Sequence, residues 1–176
     1  MTRYVGLLRG INVGGVRIKM ADLRDSMTAL GYSDVKTVLA SGNIVFESRK
    51  KAATVTTELE SALGERFGYG ARVLIVTTEQ LQSVVDAYPF AARDGWHSYV
   101  IFCSEDALVG QLLDKGDDLD PTQEQIAGGD SVVYWQVERG QTLDSGFGKA
   151  TGKVIPKRPD SPFVTNRNLN TLHKLL

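Results

Sequence analysis

Three segments of this chain, Tyr4-Val5-Gly6-Leu7-Leu8, Tyr99-Val100-Ile101-Phe102-Cys103 and Val132-Val133-Tyr134-Trp135, read as β-strands yet do not alternate apolar with polar residues. Successive side chains of a strand point to opposite faces, so a sheet with one wet face shows alternation. Strands that are apolar on both sides must be covered on both sides. One face is expected to meet helices, and the other the second half of the chain or a second subunit. Such strands are interior partitions, which leaves the connecting segments to touch a ligand.

The pattern around these strands repeats. Residues 3–9 form the first strand, followed by a glycine-rich loop, Gly10-Ile11-Asn12-Val13-Gly14-Gly15. Met20, Leu23, Met27 and Leu30 then recur at helical spacing, with Gly31 as the stop. Val35 to Ala40 and Ile44 to Phe46 flank the turn signal Ser41-Gly42-Asn43. Val55, Leu59, Ala62 and Leu63 mark a second helix, and Arg72 to Val76 a fourth strand. The order is β-α-β-β-α-β, the split unit of the ferredoxin-like fold. Thr77 with Gln80 makes a capping box for a connecting helix lined by Leu81, Val84, Val85 and Tyr88. The cycle then restarts. Ser98 to Cys103 is a strand, and Ser104 is expected to cap a helix carrying Leu108, Leu112 and Leu113. Thr122 to Ala127 and Val132 to Val137 form a hairpin across Gly128-Gly129-Asp130. A short helix at Gly146 to Val154, a last strand at Phe163-Val164 and a helix through Leu169, Leu172, Leu175 and Leu176 complete it. The expected fold is α+β: two tandem ferredoxin-like units with antiparallel sheets and a C-terminal helix. Their bounds are 1–78 and 97–176, with 79–96 as connecting helix and linker.

Length and charge limit the function classes. A compact chain of 176 residues buries roughly 70% of its unfolded surface, enough for a sizeable core. The formal net charge of −1 gives no bulk attraction for nucleic acid or acidic membranes. One cysteine, Cys103, rules out an internal disulfide and fits a reducing compartment. No run approaches the ~20 apolar residues of a membrane-spanning helix. The expected setting is cytoplasmic.

Three segments taken together resemble the bacterial family called domain of unknown function 1697. They are Leu8-Arg9-Gly10-Ile11-Asn12-Val13-Gly14-Gly15, Ser41-Gly42-Asn43-Ile44-Val45-Phe46, and Asn166-Arg167-Asn168-Leu169-Asn170-Thr171 with Lys174-Leu175. The resemblance runs from about residue 3 to the C-terminus and implies ferredoxin-like units in a cytoplasmic bacterial protein. It implies no activity. The chain departs from the family pattern at Leu169, where an aromatic residue is common, and at Gly146-Phe147-Gly148-Lys149.

Familiar catalytic machinery is absent. The glycine loop is no P-loop, since Val16-Arg17 stands where Lys-Ser/Thr should follow. No G-x-S-x-G elbow exists. Cys103 lies in an apolar strand and reads as an inert buried thiol. Cys103 and His97 are six residues apart on one strand, ~20 Å at ~3.3 Å per residue, too far for a dyad. His97, His173 and Cys103 have no metal-ligand spacing, so no metal or cofactor is expected and no catalytic residue is identified. An RNA-reading sheet is also set aside: Ser41 to Phe46 lacks the basic start and paired aromatics that stack bases.

What remains is loop chemistry. Arg9 to Gly15 is either a strand-to-helix connection or an anion cradle of backbone N–H groups. Thr165 to Thr171 holds more amides and hydroxyls than one helix cap by Asn166 or Asn168 needs. An arginine beside a helix start suits a carboxylate or phosphate. Lys149, Lys153, Lys157, Arg158, Arg167 and Lys174 oppose an acidic stretch from Glu105 to Asp120, which is solvated surface, a guide for a phosphate-bearing ligand, or the means of pairing two copies into a homodimer. The candidate contacts for a small anionic or phosphate-bearing ligand are Arg9, Asn12, Ser41, Asn43, Arg167, Asn168 and Asn170. Two other classes stay open: an enzyme on a ferredoxin-like scaffold with Arg9 as electrophile, and a protein-interaction module.

Overall fold

The computed structural model describes residues 1–12, 15–154, 158 and 160–176. Val13 and Gly14 of the glycine-rich loop and Lys157 of the basic stretch lie outside the described residues. The chain divides into two compact units, Met1–Gln82 with His173–Leu176, and Ser83–Leu172. The connecting helix expected between the halves is thus shared between them.

The first unit contains β1 (Thr2–Leu8), α1 (Met20–Ala29), β2 (Ser33–Val38), β3 (Asn43–Ser48), α2 (Ala52–Phe67) and β4 (Val73–Thr77). The strands form one antiparallel sheet in the order β2-β3-β1-β4. Tyr4, Leu8, Ile44 and Phe46 from the sheet pack with Leu23 and Met27 of α1 and Val55, Leu59 and Leu63 of α2. Each such burial is worth about 1.5–3 kcal/mol. The opposite face is no wetter: Val5 and Leu7, which alternate with Tyr4 and Leu8, are fully buried. α2 stops at Gly68, whose left-handed backbone (φ 66°) returns its N–H to the Gly64 carbonyl at 2.9 Å.

β4 is an edge strand. Arg9 N–H donates to the Arg72 carbonyl at 3.0 Å. Bonded pairs alternate in an antiparallel ladder, so this register turns the polar backbone groups of Val73, Ile75 and Thr77 away from β1. Side chains take two of these N–H groups. Glu60 Oε1 accepts from Val73 at 3.0 Å, and Gln80 Oε1 accepts from Thr77 at 2.9 Å. The Gln80 N–H donates in return to Thr77 Oγ1 at 3.1 Å, the expected capping box at the start of α3 (Thr78–Asp86).

The second unit contains β5 (Trp96–Cys103), α4 (Asp106–Leu113), β6 (Glu124–Gly128), β7 (Val132–Glu138), α5 (Gly146–Val154), β8 (Val164–Asn168) and the start of α6 (Leu169–His173). Its antiparallel sheet runs β6-β7-β5-β8. Ile101, Cys103, Val133, Trp135 and Val137 pack with Leu108 and Leu112 of α4 and Phe147 of α5. The chain after Ser83 crosses the other face: Tyr134 Oη donates to the Val84 carbonyl, Tyr88 Oη to that of Trp135, and Gln136 Nε2 to that of Ala91. Gln136 is fully buried, and its oxygen accepts from Gln125 at 2.8 Å. Tyr4 and Phe46 of the first sheet and Tyr134 and Trp135 of the second are all buried.

Two local expectations are corrected. The N-cap residue of α4 is Glu105, not Ser104, and no side chain caps the helix. The strand ladder instead continues one pair beyond Cys103: Ser104 N–H donates to the Phe163 carbonyl, and Ser104 Oγ accepts the Phe163 N–H at 2.8 Å. The last strand is also longer than the pair Phe163-Val164, because pairing with β5 draws in residues through Asn168. The closing helix is left with five residues.

Glu124 holds this unit together. Its side chain is 2% exposed, with Oε2 accepting from Trp135 Nε1 at 3.1 Å and Oε1 from the Phe147 N–H at 2.9 Å. Ser145 Oγ takes the Gly148 N–H of the same helix start. A carboxylate and a hydroxyl thus satisfy donors that the first turn of α5 cannot bond internally. Glu124→Ala strands two buried donors, and an equilibrium urea titration should show a loss of about 2–4 kcal/mol. A loss below about 0.5 kcal/mol would contradict this role.

Candidate functional site

The end of the first sheet where β1 finishes gathers two of the three polar segments. Leu8 N–H donates to the Gly42 carbonyl at 2.9 Å, and the Arg9–Arg72 backbone bond follows one residue later. The Arg9 loop, the 39–42 turn and the approach to β4 therefore meet at one sheet end. Gly42 is required there. Its φ is 83°, and a Cβ would lie 2.6 Å from Ile11 Cδ1 and 2.9 Å from Leu8 Cβ.

Asn12 has a left-handed backbone (φ 54°), and its side chain is spent on the main chain. Nδ2 donates to the carbonyls of Ala40 (2.8 Å) and Ile18 (3.1 Å), while Oδ1 accepts the Ile18 N–H (3.0 Å). Asn43 is fully buried, and its Nδ2 donates to the Val38 carbonyl and to Ser41 Oγ, both at 2.8 Å. These two amides clamp the 38–41 segment from both sides. Between their anchor points stands Leu39, 49% exposed and left-handed at φ 60°, a conformation costing roughly 1–2 kcal/mol in an L-residue with a Cβ.

Arg9 and Arg72 supply charge. Both are half-buried. Burial, and then the like charge of Arg72, hold the Arg9 guanidinium below the usual arginine range. Arg72 Nε donates to Glu60 Oε1 at 3.3 Å, the same oxygen that accepts the Val73 N–H. Sequence reasoning did not single out Arg72, Glu60 or Leu39. The signal for Arg72 lies in topology: antiparallel neighbours β1 and β4 place the residue before β4 beside the residue after β1.

The third segment belongs to the second unit and is arranged differently from expectation. Asn166, Arg167 and Asn168 lie in β8, where successive side chains alternate sides, so Arg167 and Asn168 face opposite ways. Arg167 is 6% exposed, and its Nη1 donates to Thr165 Oγ1 (2.7 Å) and the Asn166 carbonyl (2.8 Å). Burial pushes its guanidinium down to about 10. Asn168 Oδ1 accepts the Asn170 N–H at 2.9 Å, the capping role expected of it. The other expected candidate, Asn166, stands in the strand and does not cap.

With this geometry in view, the chain can be set beside known proteins. Residues 1–134 match the family described as Protein of unknown function (DUF1697). The chain belongs to the DUF1697 family. A conserved bacterial protein from Streptococcus pneumoniae, SP0830, shares 27% identity with a TM-score of 0.80, over 99% of this chain and 96% of that one. An unknown protein from Galdieria sulphuraria gives 11% identity and a TM-score of 0.27, over 95% of this chain and 98% of that one, a likeness too slight to carry an argument. No curated protein matches this DUF1697 chain. The family match includes the Arg9 loop, the 39–42 turn and Arg72, whereas Arg167, Asn168 and Asn170 lie beyond it.

Among the described residues no three His, Cys, Asp or Glu side chains cluster as metal ligands, and no helix is long and apolar enough to cross a membrane. Cys103 is 3% exposed, and burial, with a contribution from the Asp106 charge, pushes its thiol up to about 12. The reactive thiolate is thus scarce at neutral pH. Iodoacetamide at pH 8 should leave native Cys103 unmodified by mass spectrometry and alkylate it fully in denaturant; rapid native labelling would refute the burial argument. For the clamp, Asn12→Ala should cost about 2–3 kcal/mol for three lost bonds, measured by chemical unfolding. Exposed Arg17→Ala should stay within about 0.5 kcal/mol.

Proposed function

We propose that this DUF1697 protein binds a small anion, a carboxylate or phosphate, at the Arg9 end of its first sheet. Arg9 and Arg72 are the charged contacts and Ser41 a hydroxyl contact, while Asn12 and Asn43 shape the loop from behind. The carrying observation is the pair of half-buried guanidinium groups on backbone-bonded neighbours, Arg9 and Arg72. Glu60 already balances part of this charge at Arg72, and a small anion beside the two guanidinium groups would add charge-assisted bonds. Leu39, a left-handed residue with a bulky side chain, stands at the same end, and backbone strain of this kind gathers at functional sites. The scaffold of this reading is two tandem ferredoxin-like units in a cytoplasmic protein. Its support is the β-α-β-β-α-β element order and the matching strand orders of the two sheets. Arg167, Asn168 and Asn170 belong to the second unit and are left out of this reading.

The test is thermal unfolding in inorganic phosphate, for wild type and for Arg9→Ala, Arg9→Lys and Arg167→Ala. A ligand at a hundred times its Kd adds about 2.7 kcal/mol of stability. Wild type and Arg167→Ala should be stabilised alike, Arg9→Lys less, and Arg9→Ala not at all. Undiminished stabilisation of Arg9→Ala would remove the site from this end of the sheet.

A further inference from the structure

A single exposed leucine is ordinary on a protein surface. Leu39 differs because its exposure is enforced. The Asn12 amide holds the carbonyl on one side of it, at Ala40 (2.8 Å), and the Asn43 amide holds the carbonyl on the other, at Val38 (2.8 Å). The Gly42 N–H reaches the carbonyl of Leu39 itself at 3.4 Å. Thus clamped, Leu39 keeps φ at 60° with 49% of its surface in water. Glycine or asparagine would take that backbone at lower cost. A bulky apolar side chain there is disfavoured twice, by backbone strain and by exposure, and Leu39 is not among the core residues of its unit. Strain that persists because its surroundings over-determine it points to use at a site.

We infer that Leu39 is a specificity residue, and that the anion taken at Arg9 and Arg72 is carried on an apolar body, which Leu39 covers. This deepens the anion-binding reading and rests on it. The turn bearing Leu39 is bonded to β1 immediately before Arg9, through Leu8 N–H and the Gly42 carbonyl. The charged contacts and the apolar one therefore belong to one sheet end, and a ligand with an anionic head and an apolar body matches both.

The experiment compares inorganic phosphate with phenyl phosphate by calorimetric titration of the full chain, in wild type, Leu39→Gly and Arg9→Ala. Wild type should bind phenyl phosphate about tenfold more tightly than phosphate, the increment expected from covering a small apolar area. Leu39→Gly should bring the two affinities within about twofold, keep phosphate binding unchanged, and leave Tm equal or raised because glycine relieves the strain. Equal wild-type affinities, or a phenyl increment surviving in Leu39→Gly, would overturn the role of Leu39 while leaving the anion reading intact. Binding of neither anion by wild type, or phosphate binding undiminished in Arg9→Ala, would defeat the parent reading and this inference together.

Discussion

The dry character of the sheets governs what else the molecule can do. β1 places Tyr4 and Leu8 against helices and Val5 and Leu7 on the opposite face, and all are buried. In the second unit, Trp135 meets Phe147 on one face while Tyr134 meets Tyr88 on the other. A strand with two dry faces gains burial energy on both sides but surrenders its surface as a recognition platform. The polar side chains collect instead at the strand ends, where the backbone must turn and where asparagine, glycine and arginine gather.

Amides do at these ends what hydrophobic contact does inside. Asn12 ties three main-chain groups of the Ile18 and Ala40 regions together, and Asn43 performs the same work at Val38 and Ser41 while fully buried. Buried or half-buried amides lose little when every bond is made and much when one is missing. The turn is therefore rigid for a loop. In the second unit, Glu124 is the counterpart, joining the β7 indole to the start of α5.

Much of the element order was legible in the residues, because period and punctuation agreed. Leu23 and Met27 at helical spacing, the Ser41-Gly42-Asn43 turn, and the Thr77–Gln80 box all stand where the pattern put them. The misses came from tertiary pairing. Ser104 looks like a helix cap until Phe163 pairs with it, and Asn166 and Arg167 look like the entrance to a helix until β5 recruits them into a strand. The candidate site was half legible. Arg9 and the glycine turn announce themselves, whereas Arg72 acquires meaning only when β4 lies beside β1, and Leu39 only when its backbone angle is known. Sequence also suggested that Asn12 and Asn43 would point at a ligand, but their amides turn inward to the main chain.

The side chains along β4 carry a consequence for life at high concentration. An apolar edge strand such as Val73-Leu74-Ile75-Val76 is a template on which another chain can add. Glu60 and Gln80 occupy the donors at its two ends, which removes two of the N–H groups an incoming strand would need. The same carboxylate that steadies Arg72 thus also covers a donor on the open edge of β4, so one residue serves both the arginine and the sheet edge.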